Sequence, residues 1–234
     1  MLEPLISTLI HKGIPEYTML SILLVPFVAT LVTFFRYIVG WKSLSIYTTV
    51  LLTFAFFELS KTATGTDVLG GFAQALIFMS AILLVGFPLH ILSKDIRLHY
   101  LAKMSIIITL ATLAVLAGII VMVQMNIPLF NQHAPLAFII MIFALDIFIK
   151  TYIRKSAPKT IRYMINTLGL AFGIYFFISI RPLQEAILTY PEIIGGLLLV
   201  NFLIGRWTSL RFTEYFRFKD INIKDLHDSE HHQK

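Results

Sequence analysis

The sequence contains no cysteine and few charged residues. Its 234 residues are 14% charged and 57% hydrophobic, whereas a soluble domain is about one quarter charged. The lack of cysteine excludes a disulfide framework, a thiolate metal site, a cysteine nucleophile and cysteine palmitoylation. The shortage of charge, together with a mean hydropathy of +0.82, excludes a water-soluble fold, because no such fold hides that much apolar surface. We therefore expect an all-α integral membrane protein.

The short motifs of several common enzymes are also missing. The sequence has no Gly-rich phosphate loop, no GxSxG elbow and no HExxH pair. We expect neither an enzyme nor a cofactor. The tail residues His227, Asp228, Glu230, His231 and His232 indicate a polar terminus more than a metal site, and we expect no metal. A net charge of +6 does not predict nucleic-acid binding here, because the basic residues lie between apolar runs.

Seven apolar stretches follow an amphipathic lead-in at residues 1–16, which does not resemble a cleaved signal peptide. They occupy residues 17–35, 43–57, 68–93, 104–123, a fifth stretch that follows Pro135 and ends near Lys150, 163–180 and 186–205. About 20 residues in a helix cross a bilayer. The second stretch is short and partly polar, and the seventh is interrupted near its start. The sequence predicts a bundle of about seven transmembrane helices over residues 17–205, followed by a juxtamembrane helix and polar tail at 206–234.

The distribution of positive charge predicts the orientation of these spans. Sixteen of the 19 lysines and arginines lie in alternate loops on the side that holds the C-terminus, and three lie on the other side. Because positive loops stay in the cytoplasm, the N-terminus is predicted outside and the C-terminus inside. If either the second or the seventh stretch did not cross the membrane, the positively charged loops would no longer alternate between its two sides. We therefore interpret both stretches as crossings.

The second span and the loop before it form the first candidate site. Arg36 and Lys42 bracket a short loop, and the span opens with hydroxyl-bearing residues. These are Ser45, Tyr47, Thr48 and Thr49. Short polar spans can hold the sites of transporters. The interpretation that we favour is structural: the cations are membrane anchors, and the hydroxyls hydrogen-bond to their own helix.

Carboxylates within spans are the second kind of candidate. Asp146 can be a proton or cation site, but we favour a carboxylate that reaches the headgroups beside Lys150. Glu192 follows Pro191 inside the seventh stretch and is the best candidate for an intramembrane carboxylate. Alternatively, Glu192 complements the dipole of a helix that begins there. A membrane-embedded enzyme would need a convergent set such as Glu192 with His133.

The segment after residue 205 mixes aromatic and basic side chains. Its candidate interface residues are Arg206, Trp207, Arg211, Glu214 and Arg217. Arg211, Glu214 and Arg217 are three residues apart and can pair on one helical face. The pattern favours an anchor at headgroup depth over a docking surface for a cytoplasmic partner, and both remain open.

Three stretches carry a family pattern in matching order. They are residues 13–15 with 23–31, 34–36, 39–42 and 47–56; residues 97–103; and residues 190–192 with 205–207 and 211–214. In this order they resemble the membrane domain of a bacterial family with seven transmembrane helices fused to an inactive transglutaminase-like domain. The membrane part is more distantly similar to the small membrane subunit of capsular poly-γ-glutamate synthases.

The resemblance implies a multi-pass protein of the bacterial inner membrane, with the fused domain outside. It also implies association with ATP-grasp amide ligases that make or modify peptides. The chain departs from the family pattern because no fused domain is expected, and because Ser45 and Thr49 stand where glycine and proline are expected. The departures put in doubt the role outside the membrane and a kink in the second span.

Two function hypotheses follow. The first, which we favour, is a non-catalytic membrane subunit or scaffold that works with an ATP-grasp-type ligase in the synthesis, modification or export of an envelope peptide or polymer. The second is a small-solute or ion transporter acting alone, which Glu192, Asp146 and the interrupted spans suggest. The lipid bilayer is the partner that composition predicts, and the sequence does not indicate an oligomeric state.

Overall fold

The computed structural model describes residues 13, 15–62, 65–92, 99–124, 134–155 and 157–206. These residues form eight α-helices and one π-helix. They are α1 (Glu16–Phe34), the π-helix (Phe35–Val39), α2 (Ile46–Ser60), α3 (Val68–Leu92), α4 (Tyr100–Gln124), α5 (Ala134–Arg154), α6 (Ala157–Ile178), α7 (Arg181–Thr189) and α8 (Ile193–Arg206). Two short antiparallel strands, β1 (Lys61–Thr62) and β2 (Gly65–Thr66), pair between α2 and α3. The prediction of an all-helical membrane bundle is confirmed.

Among the residues that the structure describes, five helical segments are long and apolar enough to cross a membrane. They are Glu16–Val39, Val68–Pro88, Leu101–Gln124, Ala134–Arg154 and Pro158–Ile178. The pair α7 and α8, bent by 103°, makes a sixth if it counts as one span. Helix α2 has 15 residues, about 22 Å at 1.5 Å per residue, against a bilayer core of about 30 Å. A straight α2 is therefore too short to cross the core by itself.

Large apolar side chains cover the outside of several helices. On α4, Leu101, Leu113, Leu116 and Ile120 are all at least half exposed. Such a surface is unfavourable in water and ordinary in lipid, where helices associate through packing and hydrogen bonds. The exposed side chains thus agree with the composition that predicted a membrane protein.

The chain divides into two compact units. One comprises Leu44–Gln184 and the other comprises Met1–Ser43 with Glu185–Lys234. In the Leu44–Gln184 unit, α2 packs against α3, α5 and α6, and α3 packs against α4. Four side chains of α2, Leu52, Ala55, Phe56 and Phe57, are fully buried. Phe56 stacks on Phe172 of α6 with ring centroids 4.2 Å apart. Helix α2 is apolar around most of its surface because it forms the centre of this unit.

In the other unit, α1 packs against α8. Asn201 of α8 donates a hydrogen bond from Nδ2 to Thr30 Oγ1 of α1 at 2.8 Å. The Thr30 hydroxyl in turn donates to the carbonyl of Pro26, also at 2.8 Å. Hydrogen bonds of this kind between membrane helices contribute about 0.6 kcal/mol on average. They fix which faces of α1 and α8 meet.

Several helix boundaries differ from the sequence prediction, including that of the seventh stretch, which forms the two helices α7 and α8. The first span continues through the π-helix, so Arg36 lies in a helix and not at the edge of a loop. That helix ends at Gly40, whose φ of 83° is left-handed, where the carbonyl of Phe35 accepts the Trp41 amide. Helix α2 extends to Ser60, beyond the predicted end of the second stretch at residue 57, and therefore includes Glu58. Helix α6 begins at Ala157, because a basic first turn can be helical without being apolar.

Candidate functional site

The hydroxyl-bearing residues at the start of α2 do not converge on one point. Tyr47 is 81% exposed, whereas Thr48 and Thr49 are buried. Thr49 donates to the carbonyl of Ser45 at 2.8 Å, one turn earlier in the chain. Ser45 precedes the helix and makes no side-chain capping bond. This geometry agrees with the structural interpretation, in which threonine hydroxyls return to their own backbone.

Threonine contacts also join α2 to α6. Thr53 donates to the Thr49 carbonyl at 2.9 Å and approaches the Ala171 carbonyl of α6 at 3.4 Å. The Leu44 amide, just before α2, donates to Thr167 Oγ1 at 3.0 Å. Thr48 Oγ1 is buried and has no hydrogen-bond partner among the described residues. A buried hydroxyl without a partner is destabilising, because it has lost its hydrogen bonds to water. The polar character of the second span is thus used mainly for helix packing.

Arg36 and Lys42 are placed differently from each other. Arg36 lies in the π-helix and is half buried, whereas Lys42 lies in the following loop and is exposed. Lysine and arginine at the end of a membrane helix commonly reach headgroup depth. A role for Arg36 or Lys42 in a functional site stays a prediction.

Pro191 and Glu192 lie at the break between α7 and α8. Pro191 is buried and Glu192 is exposed, immediately before α8 begins at Ile193. The amides of Ile194 and Gly195 donate to the carbonyls of Pro191 and Glu192, at 3.2 and 3.0 Å. A carboxylate at this position complements the positive end of a helix dipole. The geometry therefore agrees with the alternative in which Glu192 stabilises the helix start.

Asp146 forms an ion pair one helical turn from its partner. Its Oδ2 lies 2.5 Å from Nζ of Lys150; the Lys150 side chain is 48% exposed and the Asp146 side chain is 19% exposed. This is the pairing beside Lys150 that the sequence favoured. Exposed pairs at this spacing contribute about 0.3–0.5 kcal/mol.

The remaining candidates lie at the end of the described residues or beyond it. Arg206 is the exposed last residue of α8. Trp207, Arg211, Glu214, Arg217, His133 and the histidine-rich tail lie outside the described residues. Within the described ranges, no three histidine, aspartate or glutamate side chains are grouped as a metal site would require.

The structure reveals one largely buried group of polar and charged side chains that the sequence interpretation missed. We name it the polar cluster: Glu58 and Ser60 from the end of α2, Lys61 of β1, Tyr175 of α6, and the exposed Asp67 before α3. Glu58 Oε1 and Lys61 Nζ are 2.8 Å apart, with side chains only 13% and 10% exposed. The same ammonium lies 4.8 Å from the centre of the Phe57 ring. An ion pair this deep is strongly coupled, because solvent screens it poorly.

Hydrogen bonds that involve backbone groups hold the polar cluster together. The Asp67 amide donates to the Ser60 carbonyl at 2.8 Å, and Asp67 Oδ1 accepts the Gly70 amide at 3.0 Å, which caps α3. The Tyr175 hydroxyl donates to the Val68 carbonyl at 2.8 Å, and the Ser60 side chain is within hydrogen-bonding reach of Tyr175. The available sequence signal was the spacing of three residues between Glu58 and Lys61, although Lys61 is the first residue of β1 and does not lie in α2. In a hydropathy pattern, a charged residue such as Glu58 marks the end of an apolar run, so the pattern alone does not predict a buried ion pair there.

Comparison with known proteins identifies a family. Residues 8–222 match a family described as 7 transmembrane helices usually fused to an inactive transglutaminase. No curated protein and no solved structure matches the chain significantly.

Proposed function

Because the chain belongs to the family of seven transmembrane helices usually fused to an inactive transglutaminase, we propose that it is a non-catalytic membrane subunit. In this proposal it works with an ATP-grasp-type amide ligase in the synthesis, modification or export of an envelope peptide or polymer, in the bacterial inner membrane. The observation that carries the proposal is the family's usual fused domain. A transglutaminase fold without activity suits the binding of peptide chains, and the accompanying helices then serve as an anchor.

The geometry of α2 supports a structural role for its polar residues. Thr49 and Thr53 donate to carbonyls of their own helix, and the neighbouring aromatic side chains are fully buried. A hydroxyl whose proton is committed to a backbone carbonyl is a poor nucleophile until a base removes it. These hydroxyls therefore favour a scaffold over an enzyme.

We expect a photo-crosslinking amino acid at position 206 to capture the ligase from intact cells. Arg206 is exposed at the end of α8, where the charge pattern predicts the cytoplasmic surface. The matched control is position 198 on the same helix, where Leu198 is 70% exposed and predicted to face lipid. Crosslinked partners are identified by mass spectrometry. Recovery of no ligase or other envelope-pathway protein at position 206, or equal recovery at both positions, would contradict the proposal.

A transporter acting alone remains the second candidate because of one observation. Helices α7 and α8 meet at a 103° bend around Pro191, and broken helices are where many transporters bind substrate. The two candidates predict different results with purified protein in liposomes. A transporter moves solute without any partner, whereas a scaffold does not.

The orientation with the N-terminus outside is part of the proposal, and the charge alternation supports it. Since the chain has no cysteine, single cysteines report orientation without background. In intact cells, a membrane-impermeant maleimide is expected to label Glu185→Cys and to spare His99→Cys until the membrane is permeabilised. Both positions are exposed, and neither substitution changes the count of lysine and arginine. The reverse labelling pattern would show the opposite orientation.

A further inference from the structure

The turn between α5 and α6 carries a concentration of positive charge, and its own stretch of sequence contains no acidic side chain. Arg154, Lys155, Lys159 and Arg162 are all exposed. Between Asp146 and Glu185 the sequence has no aspartate or glutamate, and Asp146 is paired with Lys150. We define Lys155, Lys159 and Arg162 as the cationic patch.

Two contacts bring the cationic patch together across the turn. Thr160, which is buried at the start of α6, donates to the carbonyl of Thr151 in the last turn of α5, at 3.4 Å. Lys155 Nζ lies 4.0 Å from the centre of the Tyr163 ring. Tyr163 is one turn beyond Lys159 on the same face of α6, and Arg162 is three residues beyond Lys159. The Lys155 ammonium is therefore drawn toward the face that carries the other two cations.

The start of α6 adds to the positive potential. A helix of 22 residues begins at Ala157, and its first turn has no acidic side chain. The unpaired amides at a helix start carry a partial positive charge. Placing three like charges beside it is unfavourable unless an anion is present, because each cation raises the potential at the others. The patch also lies where α5 ends and α6 begins, and both helices are long enough to span a membrane.

We propose that the cationic patch binds the phosphate of an anionic phospholipid headgroup. The charge complements a phosphate, and the ends of two membrane helices place it at headgroup depth. Arginine can bind a phosphate through two parallel hydrogen bonds, and lysine provides a mobile point charge. The first turn of α6 contributes backbone amides to the same phosphate, except at Pro158, which has no amide hydrogen. Cardiolipin, whose headgroup carries two phosphodiester groups, fits three cations better than a lipid with a single phosphodiester.

The test is native mass spectrometry and equilibrium binding of the full chain in detergent with cardiolipin. Phosphatidylcholine, which has no net charge, is the lipid control. The variant Lys155→Gln/Lys159→Gln/Arg162→Gln is expected to bind cardiolipin about 100-fold more weakly, since each cation near a membrane surface contributes about 1 kcal/mol. The matched control Arg36→Gln/Lys42→Gln/Arg206→Gln removes the same charge from other helix ends. Arg36 and Arg206 lie in the last turns of their helices, where the negative end of the dipole disfavours a phosphate, so this variant is expected to change binding less than about threefold.

Further variants keep the result interpretable. The charge-retaining variant Lys155→Arg/Lys159→Arg/Arg162→Lys is expected to bind cardiolipin as the native chain does. If the glutamine triple variant does not fold, Lys159→Gln alone is expected to weaken binding about fivefold. Equal losses in the patch and control variants would overturn the proposal, because they would show dependence on total charge. Displacement of cardiolipin by millimolar inorganic phosphate would also overturn it, since the site would then bind a soluble anion.

Discussion

Replacing Lys61 with methionine is expected to destabilise the protein by about 3–5 kcal/mol, because it leaves the Glu58 carboxylate buried without its counter-ion. Glu58 and Lys61 are 2.8 Å apart and almost fully enclosed. Methionine retains most of the volume of the lysine stem, so the loss reports the charge and not a cavity. Equilibrium unfolding in mixed micelles with increasing dodecyl sulfate measures the change in the free energy of unfolding.

The exposed ion pair of α5 provides the matched control for Lys61→Met. Lys150→Met breaks the Asp146–Lys150 pair, in which lysine is 48% exposed, and is expected to cost at most about 0.5 kcal/mol. The double variant Glu58→Gln/Lys61→Met is expected to recover most of the stability lost by Lys61→Met, since no unpaired charge remains. Equal effects of Lys61→Met and Lys150→Met would mean that water screens the Glu58–Lys61 pair, which would contradict its burial.

The bundle itself was predictable because most of the apolar runs have about 20 residues, the length that crosses a bilayer as a helix. The predicted third span at 68–93 agrees with α3 to within one residue at each end. Hydropathy performs well there because both ends of α3 are marked by polar residues. Hydropathy performs poorly at the end of α2, because the charged residue Glu58 predicts that the span ends at residue 57. Glu58 remains in the helix because Lys61 pairs with it and the Phe57 ring lies against the ammonium.

The candidate site was predictable only where neighbours in sequence interact. The bond from Thr49 to Ser45 follows from a spacing of four residues, and so does the Asp146–Lys150 pair. The contacts of Tyr175 with Val68 and of Leu44 with Thr167 join residues more than 100 positions apart. No local pattern encodes such contacts, because they depend on which faces of α2, α3 and α6 meet.

Gly71 shows how one small residue sets such a contact. A Cβ atom at Gly71 would lie less than 3.0 Å from the Cα, Cβ and amide nitrogen of Ser60, so a larger residue pushes α3 away from the end of α2. The close packing of the start of α3 against the end of α2 also places the Val68 carbonyl within hydrogen-bonding distance of the Tyr175 hydroxyl. The polar cluster therefore depends on the absence of a side chain at position 71.

Gly71→Ala is expected to destabilise the protein by about 1–3 kcal/mol, the usual cost of overpacking, although alanine is the better helix former by about 1 kcal/mol. The matched control is Gly173→Ala in α6, where an added Cβ meets no atom within 4 Å. That variant gains helix propensity without a clash, so it is expected to be neutral or up to about 1 kcal/mol more stable. In the same unfolding assay, Gly71→Ala is thus expected to lose stability, whereas Gly173→Ala is expected to keep or gain it. A Gly71→Ala variant as stable as Gly173→Ala would show that the start of α3 is not in tight contact with Ser60, and the position of Val68 beneath Tyr175 would then need another cause.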